Sequence, residues 1–223
     1  EPDAWERLAN WRQELDDLDG SIAAYERALT LAPDSPSVRF NLAEALRDAQ
    51  RFDDAVARYR ELIHKYGETH DDESEGLLAE AYAGLAATLN LAERYAEAAE
   101  TADEFLQRFP DHAEALYEKA SALDGLGRRD EAIAAYEQAI EADPLNPGIR
   151  NDLADTYLAN GATADAIDLA ESAVALDPEF VIGYETLAQA LLAAGRGEEA
   201  EHAAERAAEL HAAFDAEDDE PEQ

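Results

Sequence analysis

Five histidines, His64, His70, His112, His202 and His211, and 53 carboxylates are the residues of this 223-residue chain best suited to moving protons or holding metals. The histidines fall at unrelated spacings and make neither a zinc-binding helix nor a base beside a nucleophile. Paired carboxylates become an acid and a base only inside a pocket that separates their proton affinities. In so acidic a chain, pairs arise by chance. The densest donor set is His64, His70, Asp71, Asp72 and Glu73, and hard cations do favour carboxylate clusters. This set lacks the alternating oxygen-ligand spacing and sharp-turn glycine of a calcium loop, so it reads as a solvated charge run with no metal. There is no Cys and no Met, which excludes thiolate nucleophiles, thiolate metal sites, disulfides and redox switches. Gly125 and Gly127 belong to a turn, not to a phosphate loop. The expectation is no catalytic residue, no cofactor and no enzyme.

The net charge of -36 argues against a polyanionic partner such as nucleic acid or an anionic membrane surface. No apolar run approaches the 18 or so residues that span a bilayer, and no signal-peptide core is visible. Hydrophobic residues still make up 47 %, enough to build a core. Among 17 basic residues only Lys65 and Lys119 are lysines. Acid excess with scarce lysine resembles proteins of salt-adapted organisms, so a salt-rich cytoplasm is the expected setting. Salt near 1 M shortens the screening length to roughly 3 Å and suppresses the self-repulsion of such a surface. Without an initiator methionine, further residues are expected before Glu1.

Positioning comes from repetition. Alanine recurs at Ala9, Ala43, Ala86, Ala120, Ala154 and Ala188, every 34 residues except for one step that is nine longer. Ser21, Ala55, Ala98, Ala132, Ala166 and Ala200 keep the same frame, and Pro33, Gly67, Pro110, Pro144 and Pro178 close the units. The chain thus divides into repeats 2–35, 36–69, 79–112, 113–146, 147–180 and 181–214. An acidic insert at 70–78 separates the second from the third, and an acidic, disordered tail is expected at 215–223. Within a unit, Leu116, Ala120 and Leu123, then a turn, then Ala132, Ile133, Tyr136 and Ile140 follow a helical period. Each unit is therefore two antiparallel helices, with small residues where they cross closely. In the insert, Leu77 and Leu78 are expected to lengthen the next helix backward and leave an acidic loop before them.

The unit resembles a tetratricopeptide repeat. Trp5, Leu8 and Ala9, Tyr82, Leu85, Ala86 and Leu89, and Tyr184, Leu187, Ala188 and Leu191 match the first-helix pattern. Ser21, Tyr25, Ala28 and Pro33, and Ala132, Tyr136, Ala139 and Pro144 match the second. The resemblance implies an all-α, right-handed superhelix, a solenoid of six helix-turn-helix repeats, whose first helices line a groove that binds protein or peptide segments. Departures are Arg39 and Arg150 at the opening large position, Lys119 for Leu, and Ala102, Ala170 and Ala204 for the second-helix aromatic. Looser packing is expected at those alanines. The subtype that clamps a terminal carboxylate is excluded. Asn10 and Asn41 fit it, but Glu6 and Glu80 stand where lysines are needed and Gly84 where Arg is needed.

The groove set implied by this frame is Arg7, Asn10, Phe40, Asn41, Arg47, Asn90, Tyr117, Asn151 and Gln189. It is shared with Glu6, Glu44, Glu80, Glu114, Glu118, Asp152, Asp155 and Glu185. Repeat two is neutral and carries Arg39, Arg47, Arg51, Arg58, Arg60 and Lys65. These six are read either as a docking surface for an acidic partner, with Arg47 and Arg51 at its centre, or as partners of their own acids. Trp11 stands where later repeats hold Ala45, Thr88, Ala122, Thr156 and Ala190, and is expected to cap the end or touch another chain. The function read from these features is a non-catalytic interaction module or scaffold. The other classes are homotypic assembly through uncapped ends, giving a homo-oligomer, and the regulatory part of a larger enzyme.

Overall fold

A computed structural model describes residues 1–67 and 72–218, without the side chains of 72–74 and 215–218. Their helices come in pairs: α1 (Pro2–Glu14) with α2 (Leu18–Leu31), α3 (Pro36–Asp48) with α4 (Phe52–Tyr66), and α5 (Asp72–Leu91) with α6 (Tyr95–Arg108). They continue as α7 (Ala113–Gly125) with α8 (Arg129–Ala142), α9 (Pro147–Ala159) with α10 (Thr163–Leu176), and α11 (Val181–Ala193) with α12 (Gly197–Asp218). The fold is all-α, of the repeat-solenoid class. It forms two compact units, Glu1–Pro110 and Asp111–Gln223. In each, a helix pair packs on itself and on the next pair, and α3 also touches α5, α7 touches α9, and α9 touches α11.

One turn geometry joins every pair. At the fifteenth residue of each repeat the backbone is left-handed: Asp16, Gln50 and Glu93 in the N-terminal unit, and Gly127, Gly161 and Gly195 in the C-terminal unit. The next N–H reaches back to close the first helix, as in Arg51 to the Leu46 carbonyl at 2.8 Å and Arg196 to the Leu191 carbonyl at 2.9 Å. This double bond pattern satisfies the orphan carbonyls of the helix end. The same residue then serves as N-cap of the second helix, which fixes the connection at three residues. Where it is Arg, its guanidinium pairs with a carboxylate three residues on: Arg51–Asp54, Arg94–Glu97, Arg128–Glu131 and Arg196–Glu199, at 2.5 to 2.8 Å.

The small residues at the crossings are fully buried from Ala9 through Ala154 and from Ser21 through Ala166. Methyl-sized side chains let the helix axes approach, and a larger one would part them. Ala188 is only half-buried, since among the described residues no further helix pair lies against α11.

Three expectations change. The acidic insert is not a loop down to Leu77, since α5 already begins at Asp72. An acid-rich stretch suits the positive end of a helix dipole. His70 and Asp71 lie outside the described residues. Helix α12 runs to Asp218, beyond the expected start of the tail at 215, and 219–223 lie outside the described residues. Packing at Ala102 is not loose. Phe105, one turn later on the same helix face, is fully buried and stacks on Tyr82 with ring centroids 5.6 Å apart. The aromatic ring has moved by three residues and fills the same space. Ala170 is fully buried, whereas Ala204 is exposed. Arg39 and Arg150 lay their stems where a large apolar residue was expected and donate to the Pro33 and Asn146 carbonyls.

Candidate functional site

The first helix of each pair presents its fifth, sixth, ninth and twelfth repeat residues on one face, spaced at three and four. In the N-terminal unit these side chains are tied to the buried tyrosine of the second helix. Tyr25 donates to Asn10 Oδ1 at 2.5 Å, and burial with nearby Glu6 pushes its hydroxyl up to about 12. Tyr59 donates to Glu44, and Arg47 grips the same carboxylate with both nitrogens at 3.0 and 2.6 Å. Burial first, then Glu44, raises the Tyr59 hydroxyl well above its ordinary value. Phe40 meets the Tyr59 ring edge-on at 6.0 Å. Gly84 has a mechanical role here, because a Cβ on it would lie 2.6 Å from the Tyr59 ring. Tyr59 therefore fills the space beside Gly84.

In the C-terminal unit the same face is acidic. Tyr117 donates to Asp152 Oδ2 at 2.8 Å, and its ring lies 6.1 Å from that of Tyr136. Asn151 Nδ2 donates to Asp152 Oδ1 at 3.4 Å. Glu118 is buried and Asp152 half-buried. Burial raises the Asp152 carboxyl above the usual range, with Asp124 adding to the shift while the Tyr117 and Asn151 bonds oppose it. Asp155, exposed on the same face, is also raised, first by desolvation from neighbouring groups; Asp152 and Asp124 add to the shift and a Thr186 hydrogen bond opposes it. Burial and then Asp152 push the Tyr136 hydroxyl up. A cavity of about 380 Å³ opens beside this set, lined by His112, Glu114, Tyr117, Glu118, Asp143, Asn146 and Ile149.

The expected residues divide accordingly. Arg7, Asn10 and Gln189 are exposed; Phe40, Asn41, Arg47, Asn90 and Tyr117 are half-buried. Asn151 is 3 % exposed, so it supports the face from beneath and offers a partner little surface. The six bases of repeat two are all engaged. Arg39 pairs with Glu61, Arg47 with Glu44, Arg51 with Asp54, Arg58 with Glu61, Arg60 with Glu97 and Lys65 with Asp34. Pairing with carboxylates, not a patch of free cations, is what this geometry favours. Trp11 is 57 % exposed on α1, four residues before the exposed Leu15, while its small counterparts in later repeats are fully buried or nearly so.

Tyr59, Tyr136, Asp124 and Thr186 join the site without having been expected in it. Their signal was present, since the second-helix tyrosines recur in the frame, but their reach across to the first helix depends on the crossing. Among the described residues, no three His, Asp or Glu side chains converge closely enough to hold a metal ion. No helix among them is long and apolar enough to cross a membrane.

Family models described as tetratricopeptide repeat match residues 13–81, 92–147 and 117–179. A small glutamine-rich tetratricopeptide repeat-containing protein 2 of Mycosarcoma maydis is 34% identical over 102 residues, 45% of this chain and 29% of that protein. The STIP1 homolog of Dictyostelium discoideum is 38% identical over 74 residues, 33% of this chain and 13% of that one. The matches thus span less than a third of these relatives. Solved structures of like fold include a thermophilic TPR protein of Thermus thermophilus, 24% identical, covering 86% of this chain and 100% of that one with a TM-score of 0.63. Another is YrrB, titled a TPR protein with an unusual peptide-binding site, 17% identical over 84% of this chain and 92% of that one, TM-score 0.56.

Proposed function

The chain belongs to the tetratricopeptide-repeat family, and from that premise we propose that it is a non-catalytic interaction module or scaffold holding a segment of a partner protein on its first-helix faces. The observation that supports this most is the character of those faces. Their polar side chains are held in place by tyrosines, as in Tyr25 with the exposed Asn10 and Tyr117 with the half-buried Asp152. Such groups are already ordered, so a partner meets hydrogen-bonding sites whose entropy cost is largely spent. Family membership alone is weaker support, because one fold hosts many functions.

The acid excess fits a salt-rich cytoplasm and disfavours nucleic acid as partner. In that setting exposed charges steer little beyond a few Å. The test is affinity capture from native lysate at molar salt, comparing the wild-type chain with Tyr117→Ala and Gln189→Ala. We expect one or more proteins to be recovered by the wild type and weakened by the substitutions. Recovery of the chain alone contradicts the module reading.

A second reading is homotypic assembly. It is favoured by Trp11, exposed on α1, with the exposed Leu15 four residues on, just past the helix end. Concentration-dependent mass in molar salt, abolished by Trp11→Ala, would establish it.

A further inference from the structure

The carboxylates on the first-helix face of the C-terminal unit are placed differently from those that make the chain acidic overall. A carboxylate that serves solubility in salt must be hydrated. Glu118 is 7 % exposed, and Asp152 is half-buried. Adaptation to solvent does not account for acids withdrawn from solvent, and desolvated charge is costly unless something compensates it.

At Asp152 the compensation inside the unit comes from neutral groups. The hydrogen-bond donors that reach Asp152 are neutral, the Tyr117 hydroxyl and the Asn151 amide. The charge that bears on Asp152 is that of Asp124, and those that bear on Asp155 are Asp152 and Asp124, all of one sign. Asn151, although more than nine-tenths buried and bonded into this cluster, has an Oδ1 with no donor among the described residues. One Oδ1 of Asp124 is likewise buried without a donor. Acceptors thus outnumber donors beneath this face, where the half-buried Asp152 meets the surface.

The frame shows what is missing. In the N-terminal unit the twelfth residue of repeat two is Arg47, which closes on the half-buried Glu44 with two hydrogen bonds. The twelfth residue is Asp124 in repeat four and Leu158 in repeat five, so no cation stands at that position in the repeat that carries Asp152 and Asp155 or in the one before it. A metal ion does not fit, since no three of the donors converge on a point among the described residues. A guanidinium, with five N–H groups in a plane, can serve acceptors spread along two helices.

We infer that the first-helix face of the C-terminal unit takes a cationic segment of its partner, with an arginine side chain seated over Asp152 and Asp155 in the place that Arg47 fills for Glu44. This rests on the interaction reading above and gives the partner a chemistry. Because Asp152 is partly withdrawn from water, while Asp155 is exposed, the attraction at Asp152 survives salt that screens the exposed charges.

The test uses the full chain in molar salt with labelled synthetic peptides in which Arg alternates with Ala, and matched peptides with Gln or Glu in place of Arg. Fluorescence anisotropy is expected to rank Arg above Gln above Glu. Asp152→Asn with Asp155→Asn is expected to weaken the arginine peptide by about tenfold or more, as loss of a close charge pair does. Thermal unfolding verifies that the double variant is folded. Glu205→Gln, an exposed acid on α12, should leave affinity unchanged. Equal binding of the Arg and Gln peptides, or equal binding of the Arg peptide by wild type and double variant, overturns the inference. A Gln or Glu peptide that binds best, and cross-links to a photoreactive group at Gln189, also overturns it while sustaining the interaction reading.

Discussion

The two units use one frame with different chemistry. In the N-terminal unit, which holds eleven of the seventeen basic residues, arginine and lysine join successive repeats through Arg60–Glu97, Arg94–Asp53 and Lys65–Asp34. Its left-handed turns are made by Asp16, Gln50 and Glu93. In the C-terminal unit the turns are glycines, and the acid of the first-helix face is bonded to a tyrosine without a gripping arginine. The lesson is that fold and charge balance are set by different positions. The small crossing residues and the turn specify the repeat, while the sixth, ninth and twelfth residues are free to be self-satisfied or left for a partner.

The largest effect that sharpens this contrast is expected at the filled core of repeat three. Phe105→Ala should cost about 3–5 kcal/mol, read by denaturant unfolding in molar salt. A loss under about 1 kcal/mol would mean that Phe105 does not replace the missing aromatic of Ala102. Next come the paired and unpaired acids. Arg47→Ala strands the half-buried Glu44 and should destabilise by about 1–3 kcal/mol. Asp152→Asn, which keeps a hydrogen-bond acceptor for Tyr117 while removing an unfavourable charge, should leave stability unchanged or raised at pH 7. Opposite signs for these two substitutions are what the comparison requires.

Acid separates the units further. The Glu97 carboxyl, held down to about 2 by hydrogen bonds first from Arg94 and then from Arg60, binds protons less readily folded than unfolded. Its contribution is present above its unfolded value and is lost as pH falls from about 4.5 toward 2. It is modest, since the pair is exposed. Asp152 and Asp155 are raised, chiefly by desolvation, so they favour the folded state when protonated. That stability is present below the unfolded value and fades as pH rises through the folded one. Hydrogen exchange should therefore show α4 and α6 losing protection on acidification while α7 and α9 gain it. The smallest effects lie in the turns. Glu93→Gly is expected to stabilise by a few tenths of a kcal/mol to about 1, and Gly161→Ala to destabilise by about 1 kcal/mol.

Much of the fold was legible because it is periodic. Ala43 and Ala55 identify a crossing without knowledge of what lies across it, and Pro33 and Pro144 mark helix ends by their own geometry. Phe105 was not legible as a substitute for the missing aromatic, since exchange across one helical turn becomes visible only when the face is seen. Asp72 as a helix start was hidden because an acidic run suits both a loop and a helix N-terminus. At the site, Tyr117 and Arg47 lie on first helices and Glu44 stands three residues before Arg47 on the same helix, but the partners Asp152 of Tyr117 and Tyr59 of Glu44 depend on packing between helices. The burial of Asn151 follows from the same packing. The cations of repeat two read in sequence either as a patch or as partners of acids, because counting charge cannot tell a free guanidinium from one that holds Glu44.

The central claim, that a partner lies along the first helices, is tested most directly by a photoreactive cross-linker at Gln189 on α11, compared with one at the exposed Gln138 on α8. The account predicts covalent capture of the partner from Gln189 and none from Gln138. Capture from Gln138 with none from Gln189 would contradict it.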